Sequence, residues 1–470
     1  MVSTFFGLEI GRKALQSQTT ALDVTGHNIA NANTEGYTRQ RAIMTTPTPF
    51  AYPSFYKPLS AGQLGTGVNV EEVKRLRDSF IDSQIRKENS VTGYWENRKN
   101  TLDKIEVIIN EPSESGLRTV LDQFWESLQT LSTRPEDRSL RATVAQRGMA
   151  VADTFQHMDK QFADLQADLN QSVDIKVDEI NNITTQIAGL NEQIVAVEAS
   201  NDNANDLRDK RDLLVDQLAK IVNINVVEDQ FGSTSIAIGS RSLVSGKTPT
   251  KLMTVIAPLT GFYDVKWEDG TFVDLKSGEL QGLIYSRDTI TQDMRDQINT
   301  LATNYINEVN AQHQAGYGLD GVNGYSFFSG TNATTIQVHS DITSIPNGLD
   351  HIAAAGSLPL AEGDNANALL LTGLKHDATT MGTSTFDDYF RGIAAQLGID
   401  GQAAGRMVDN QGLLVSQLNT QQQQLSGVSL DEEMTNMIKF QHAYNAASRV
   451  VTSMDEMLDT IISRMGLVGR

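Results

Sequence analysis

The two ends of the chain carry the same kind of hydrophobic pattern. Near the N-terminus, a large apolar residue recurs every seven positions, at Leu8, Leu15, Leu22 and Ile29. Near the C-terminus, apolar residues recur at alternating steps of three and four, at Met437, Phe440, Tyr444, Ala447, Val451, Met454, Leu458, Ile461 and Met465. This spacing is typical of a coiled-coil seam. Because the stripes are equally long, we expect the two ends to pair with each other; separate packing of two amphipathic helices on a globular body is the alternative.

Most of the remaining chain has helical periodicity. Apolar residues at steps of three and four predict a helix over 158–197 and a shorter one over 207–221, separated by a polar loop. This is the pattern of an antiparallel helical hairpin. Further helices are predicted near 76–110, 117–132, 136–155, 290–309 and 386–425.

One stretch alternates apolar and polar residues instead. The alternation over 222–226 and again over 263–268 predicts strands, and the Asp-Gly pair that follows is suited to a tight hairpin turn. A return strand is predicted at 272–275. Residues 223–278 therefore form a predicted β insertion between helices.

Together these patterns predict a mainly α fold with a β insertion. It comprises terminal coiled-coil helices, an elongated helical-bundle domain or shaft, and a small outer β domain. The segment 331–380 has no sustained period, with short strands predicted at 335–338 and 369–371, and its domain membership stays open. The predicted parts are 1–40 with 428–470 for the terminal coiled coil, 41–222 with 279–330 and 381–427 for the shaft, and 223–278 for the β domain.

Composition and charge argue against most binding and catalytic classes. Lys and Arg number 38 against 58 Asp and Glu, and the resulting charge of −20 repels phosphate, so nucleic acid is a poor partner. No cysteine is present, and no two of the seven histidines lie three or four residues apart. The acidic clusters Asp387-Asp388 and 431–433 fall where helices should begin and complement the helix dipole. We therefore predict no catalytic residue, no cofactor and no metal site, and no enzymatic activity.

The first ten residues lack both the basic and the apolar regions of a cleaved signal peptide. No apolar run approaches the ~18 residues of a transmembrane helix. Export without a cleaved leader and without membrane insertion is therefore the expectation, if the chain is exported.

The most specific local sequence lies at 25–40, directly after the N-terminal stripe. Asparagine side chains there compete for backbone hydrogen bonds, and Gly36 can adopt the left-handed conformation that ends a helix or forms a turn. A capping turn is the simplest interpretation, but three asparagines within six residues are more specific than that. The candidate motif residues are Asn28, Ile29, Ala30, Asn31, Asn33, Thr34, Gly36, Tyr37, Arg39 and Gln40.

Residues 29–40 resemble the N-terminal signature of bacterial flagellar rod, hook and hook-associated proteins. The run 426–433, followed by Gln441, Ala443-Tyr444 and 455–458, is similar to the matching C-terminal signature. The form Gly-Tyr-Thr-Arg-Gln at 36–40, the helical hairpin and the run 316–328 resemble the hook-associated members. Hook and rod proteins more often carry Phe at the position of Tyr37.

This resemblance implies a structural protein that polymerises through its terminal helices into a junction between hook and filament, which filament assembly needs. It implies further copies of the chain as partners, the hook protein on one side, and a second hook-associated protein and flagellin on the other. It also implies a dedicated export chaperone and type III export to the extracellular flagellum. A hook or distal rod protein is the nearest alternative, and a surface adhesin or binding module is a more distant one.

The terminal stripes are one or two side chains wide. Such a stripe on an isolated helix buries too little apolar area to offset backbone ordering, which costs ~1–2 kcal/mol per residue. We therefore expect residues 1–33 and 430–470 to be largely disordered in the free subunit and to become ordered only when subunits stack.

Overall fold

The computed structural model describes residues 5–49, 65–110, 116–200, 202–359, 361 and 363–464. The predicted class, mainly α with a β insertion, is confirmed. The helices are α1 (Phe6–Ala30), α2 (Ser79–Ile109), α3 (Leu117–Leu131), α4 (Arg138–Glu198), α5 (Asn205–Ile221), α6 (Glu279–Tyr285), α7 (Gln292–Ala315), α8 (Ser340–Thr343), α9 (Ala366–Gly373), α10 (Phe386–Ser426) and α11 (Leu430–Asp459). The strands are β1 (Gln40–Thr45), β2 (Asn69–Arg75), β3 (Asn225–Glu228), β4 (Thr234–Ile238), β5 (Arg241–Ser245), β6 (Thr248–Pro249), β7 (Leu252–Ile256), β8 (Tyr263–Trp267), β9 (Phe328–Ser329) and β10 (Gln337–Val338).

The longest element is α4, a single helix of 61 residues. The sequence predicted two helices here, over 136–155 and 158–197, and that break is wrong. Phe155, Met158 and Phe162 are buried at steps of three and four on one continuous face, and no glycine or proline lies between them to end the helix. The Asp137 carboxylate caps the start of α4 by accepting from the Ser139 amide at 2.8 Å.

The core of the molecule lies where α3, α4, α7 and the start of α10 meet. Its centre is aromatic: the ring of Tyr305 lies 5.5 Å from Trp125, 5.3 Å from Phe386 and 6.1 Å from Phe155 between centroids. The pairs of Tyr305 with Trp125 and Phe386 are edge-to-face, a geometry that stabilises beyond the buried area. We call α2 to α7 together with α10 the helical body; a π-helical turn at Ser286–Thr291 joins α6 to α7.

The β insertion forms two small antiparallel sheets, β3–β4–β5–β6 and β7–β8. The predicted turn after β8 is present, with Gly270 at φ 83° and the Thr271 amide donating to Asp269 Oδ1. The predicted return strand at 272–275 is wrong, because it makes only one bridge, between Lys266 and Phe272. Instead β7 pairs with β8 along five residues, since its longer apolar run offers more cross-strand contacts.

The segment 331–380 packs on the helical body. Of the strand predicted at 335–338, only β10 forms, paired with β9. The strand predicted at 369–371 is wrong, because these residues lie in α9. Alanine and leucine favour helix, and burial of Ala368 and Leu371, three residues apart, fits one helical face. Short apolar runs do not distinguish helix from strand.

The two terminal helices, α1 and α11, pack antiparallel on each other, and we call them the terminal pair. This differs from the expectation that both segments are disordered in a single subunit, because each finds a partner in the other. The pairing is nevertheless shallow: the only residue of α11 that it buries within the described chain is Glu433.

Candidate functional site where the terminal pair meets the helical body

Glycine allows the close approach of α1 to α11. A Cβ atom on Gly7 would lie 2.6 Å from Met454 Cε, and one on Gly11 would lie 2.5 Å from Val451 Cγ2. Both distances are shorter than van der Waals contact. The flexible end of Met454 can move away from a larger residue at position 7, but the branched Val451 side chain leaves no room at position 11 unless the helices move apart. The predicted C-terminal stripe therefore contributes directly to the contact with α1.

The other predicted stripe residues are less buried. Those of α1 are half-buried, namely Leu8, Leu15, Leu22 and Ile29, as are Met437, Phe440, Ala447 and Leu458 on α11. Tyr444 and Ile461 are exposed, and Met465 lies outside the described residues. An assembly role for these stripes stays a prediction.

The motif after α1 is organised around the side chain of Asn28, which is buried. Its Nδ2 donates to Gln40 O at 2.9 Å and to Glu433 Oε2 at 3.1 Å. Its Oδ1 accepts from the Tyr37 hydroxyl at 2.8 Å and from the Gln40 amide at 3.0 Å. All four hydrogen-bonding positions of the amide are thus used, and one asparagine joins α1, β1 and α11.

Arg39 is the second contact between the motif and α11. Its Nε donates to Glu433 Oε1 at 2.8 Å and its Nη1 to Glu432 Oε2 at 2.7 Å. Its backbone amide also donates to Ser426 O at 2.9 Å, which fixes the turn between α10 and α11. Burial opposes charge on the guanidinium, but the two glutamates outweigh it and raise the pKa of Arg39. Because Glu433 is only 2% exposed, loss of its partner would leave a buried, unpaired carboxylate.

The same motif also contacts α5. The Thr38 amide donates to Asp209 Oδ2 at 2.8 Å, and Gln40 Nε2 donates to Asp206 Oδ1 at 2.8 Å. Burial, together with the charges of Asp206, Asp209 and Glu433, raises the pKa of the Tyr37 phenol, which therefore stays protonated as a donor.

An ion-pair network extends this contact into the helical body. Arg75 Nη1 lies 2.7 Å from Asp209 Oδ1 and 2.8 Å from Asp212 Oδ2, while Arg77 bridges Asp212 and Asp82. Burial alone would raise the pKa of Asp212, but Arg77 and Arg75 hold it below its usual range. The motif, α5 and the start of α2 are therefore fixed to one another by charge-assisted hydrogen bonds.

The remaining predicted motif residues shape the turn. The Asn31 side chain donates to His27 O, and the Thr34 hydroxyl donates to Asn31 Oδ1. Gly36 has φ 79°, and a Cβ there would lie 3.3 Å from Leu213 Cβ. Ile29 is half-buried, and Ala30 and Asn33 are exposed and take no part in the network.

The sequence did not point to the partners of the motif, which are Glu433, Asp206, Asp209 and Arg75. From the sequence, the acidic run 431–433 is interpreted as dipole compensation and as part of the C-terminal signature, but not as a partner of the motif. Glu432 does lie in the first turn of α11, where its amide donates to the capping Ser429. Glu433, one residue further, instead points into the network and pairs with Arg39, and no local signal in the sequence connects the two residues.

The polar groups of this site are engaged in hydrogen bonds and ion pairs with one another. Within the ranges the structure describes, no group of three or more His, Asp or Glu side chains is arranged to hold a metal ion. No described helix is long and apolar enough to cross a membrane. What the site does is fix the angle and register at which the terminal pair leaves the helical body.

Comparison with family models identifies the class of protein. Residues 102–328 match the flagellar hook-associated protein FlgK helical domain. Residues 8–38 match the flagella basal body rod protein family, and residues 421–464 match the C-terminal family of the flagellar basal body rod FlgEFG proteins. The two terminal matches contain most of the motif and of α11. The fold and its site are therefore those of a structural protein of the bacterial flagellum.

Relatives narrow the assignment. The chain is 37% identical over 510 residues to flagellar hook-associated protein 1 of Bacillus subtilis, covering 100% of both chains. It is 27% identical to flagellar hook-associated protein 1 of Escherichia coli, covering 96% of this chain and 98% of that one. The solved structure of the flagellar hook junction protein FlgK from Burkholderia pseudomallei has a similar fold, with a TM-score of 0.63 at 17% identity, covering 74% of this chain and 100% of that one.

The chain belongs to the flagellar hook-associated protein 1 family. This confirms the resemblance identified from residues 29–40 and 426–433, and the predicted structural role at the hook–filament junction of the flagellum. The family is one of structural proteins of the extracellular flagellum and not of enzymes. Membership also supports self-assembly within the flagellum.

Proposed function

We propose that the chain polymerises through its terminal pair to build the hook–filament junction. The observation that supports this is a set of apolar side chains on α11 that pairing with α1 leaves exposed. A run of exposed apolar residues along a whole helix is typical of a protein interface. These residues are Leu430, Met434, Ile438, Tyr444, Val450 and Met457 on α11, continued by Ile461 and Ile462 in the π-helical turn Thr460–Arg464 that follows it.

In this proposal the terminal segments 1–40 and 428–470 form an inner tube. The shaft (41–222, 279–330 and 381–427) surrounds the tube, and the β domain (223–278) faces outward, with 331–380 packed on the shaft. The stripes at Leu8, Leu15, Leu22 and Ile29 and on α11 supply the contacts within the tube. The motif around Asn28 then sets the direction of the terminal pair.

The finer assignments rest on the family resemblance. We propose that the hook protein lies on one side of the junction, with a second hook-associated protein and flagellin on the other. We also propose type III export with a dedicated chaperone and without a cleaved signal peptide. These steps use the terminal segments before the pair has formed.

The test compares two substitutions of the same residue type at similar exposure. Ile438 on α11 is 56% exposed and Ile256 at the end of β7 is 61% exposed. We expect Ile438→Asp to leave the monomer folded but to abolish its incorporation, so that cells make hooks and shed unpolymerised flagellin. Ile256→Asp, in the outer β domain, should leave motility normal.

Circular dichroism and thermal unfolding of both purified variants establish that each is folded. Normal swimming of the Ile438→Asp strain would contradict the proposal. Equal loss of motility in both strains would show that the effect is not specific to α11.

A further inference from the structure

A groove of about 1000 Å³ lies between the first turns of α2 and strand β3. It is separate from the terminal pair, and the proposed polymerisation does not use it. One wall comes from β2 and the start of α2, and the other from the segment 223–228. The volume is sufficient for a short stretch of polypeptide.

The wall at 223–228 is the edge of a sheet. Successive residues of a strand point to opposite faces, so a groove lined by six consecutive residues faces the backbone edge. The strand order agrees, because β3 is the outer strand of its sheet and pairs only with β4. An open strand edge offers N–H and C=O groups to which an extended peptide can add.

The opposite wall is basic, in a chain whose net charge is −20. The arginines deep in the groove are neutralised, since Arg77 and Arg86 pair with aspartates such as Asp212 and Asp216. Lys74 and Lys87, at the mouth, are exposed, and within the described part of the chain neither is ion-paired. Glu72, on the same wall, is also exposed and not ion-paired within the described residues, so the exposed side chains of this wall keep an excess of one positive charge.

Two further side chains of the groove lining lack a partner of their own kind, one polar and one apolar. Ser90 is part of the groove lining but only 4% exposed, and its buried hydroxyl has no hydrogen-bond partner within the described residues. Val227, on the strand wall, is 67% exposed. A ligand with small apolar side chains would cover Val227.

We propose that this groove is a docking site for an acidic segment of a second protein in extended conformation. The segment adds to β3 as a further strand, and its carboxylates pair with Lys74 and Lys87. The simpler explanation is that the lysines only protect an exposed edge from aggregation, and in that case the groove binds nothing.

The probe is a fluorescein-labelled seven-residue peptide of alternating valine and glutamate, measured by fluorescence anisotropy against the full chain. We expect saturable binding that weakens at least about tenfold in the double variant Lys74→Glu, Lys87→Glu. The matched control is Lys104→Glu, Lys160→Glu, which changes the net charge equally on exposed helix surface outside the groove. Its affinity should stay within about twofold of the original.

Hydrogen exchange tests the mode of binding. With the peptide bound, the amides of 223–228 should exchange more slowly, because a strand paired on both sides protects its N–H groups. Absence of saturable binding, equal binding by both double variants, or equal binding of a valine-lysine peptide would overturn the proposal. Binding of the peptide without protection of 223–228 would also overturn the proposal. So would self-association of the chain that the double variant Lys74→Glu, Lys87→Glu abolishes, because that result would assign the groove to a second copy of the chain.

Discussion

The helical body and the terminal pair have the same apolar spacing but very different burial. In α4, Phe155, Phe162 and Ile180 are completely buried, as part of one continuous core. In α11, the same three- and four-residue spacing produces half-buried and exposed side chains along 30 residues. Periodicity thus specifies which face of a helix is apolar, but not whether its partner lies in the same chain.

Hydrogen exchange should show the largest difference between the two regions. Amides of α4 open only with the whole body, whereas those of α11 are held by a shallow contact with α1. We expect exchange over 437–458 to be at least about a thousandfold faster than over 155–187 in the soluble monomer. Similar protection in both segments, measured by mass spectrometry without polymer, would remove the distinction and weaken the proposed coupling of order to assembly.

Truncation of one phenylalanine side chain in each region should have different effects on the free energy of unfolding. Phe155 lies in the core against the ring of Tyr305, so Phe155→Ala should lower the free energy of unfolding by about 3–5 kcal/mol. Phe440, half-buried in the terminal pair, is the matched control. Phe440→Ala should change the global value by less than about 1 kcal/mol, as measured by urea denaturation. A large effect of Phe440→Ala would mean that the pair and the body unfold as one unit.

Acid should destabilise the helical body through His313. Its Nδ1 donates to Tyr325 O and its Nε2 accepts from the Ala353 amide, so the buried ring is neutral. Burial lowers the pKa of His313 to about 4, below its ordinary value of 6.5. The unfolded chain therefore binds a proton first, and about 3 kcal/mol of stability present above pH 6.5 should be lost as the pH falls towards 4.

The slope of unfolding free energy against pH measures this effect. His313→Gln should flatten the slope between pH 6.5 and pH 4.5, whereas His442→Gln, at an exposed position on α11, should not. An unchanged slope in His313→Gln would assign the acid sensitivity to carboxylates instead.

The fold class and most helices follow from the sequence because helical periodicity is a local signal. The errors have local causes too: no residue near 156 ends a helix, and the apolar run at 369–371 is too short to show its period. The return strand at 272–275 was misassigned because pairing with β7 depends on residues before β8. Competition between strands cannot be read from one strand alone.

The sequence predicts only the N-terminal half of the candidate site, which is the motif after α1, and not the residues that the motif contacts. Asn28, Tyr37, Arg39 and Gln40 lie within 13 residues and stand out by composition. Their partner Glu433 is 405 residues from Asn28. A single sequence records no such pairing, and an acidic residue at the start of a helix already has an adequate local explanation.

Gly36 lies between the two regions, and its substitution should have the smallest effect. Gly36→Ala places a side chain at φ 79° and 3.3 Å from Leu213 Cβ, which should cost about 1–2 kcal/mol. Gly270→Ala is the matched control, because its φ is 83° and nothing lies within 4 Å of a Cβ there. Both variants carry the same cost of a side chain at positive φ. Any further loss of unfolding free energy in Gly36→Ala therefore measures the contact with Leu213 of α5.

The location of that excess then distinguishes two functions of the turn. If Gly36 only supplies the left-handed backbone of its own turn, exchange in α11 should be the same in Gly36→Ala as in Gly270→Ala. If the turn sets the position of Arg39 against Glu433, Gly36→Ala should in addition speed exchange near the start of α11 by severalfold, because the ion pair loosens. We expect the second result, because Arg39 lies only three residues after Gly36 and its backbone amide donates a hydrogen bond to Ser426 O, next to the start of α11.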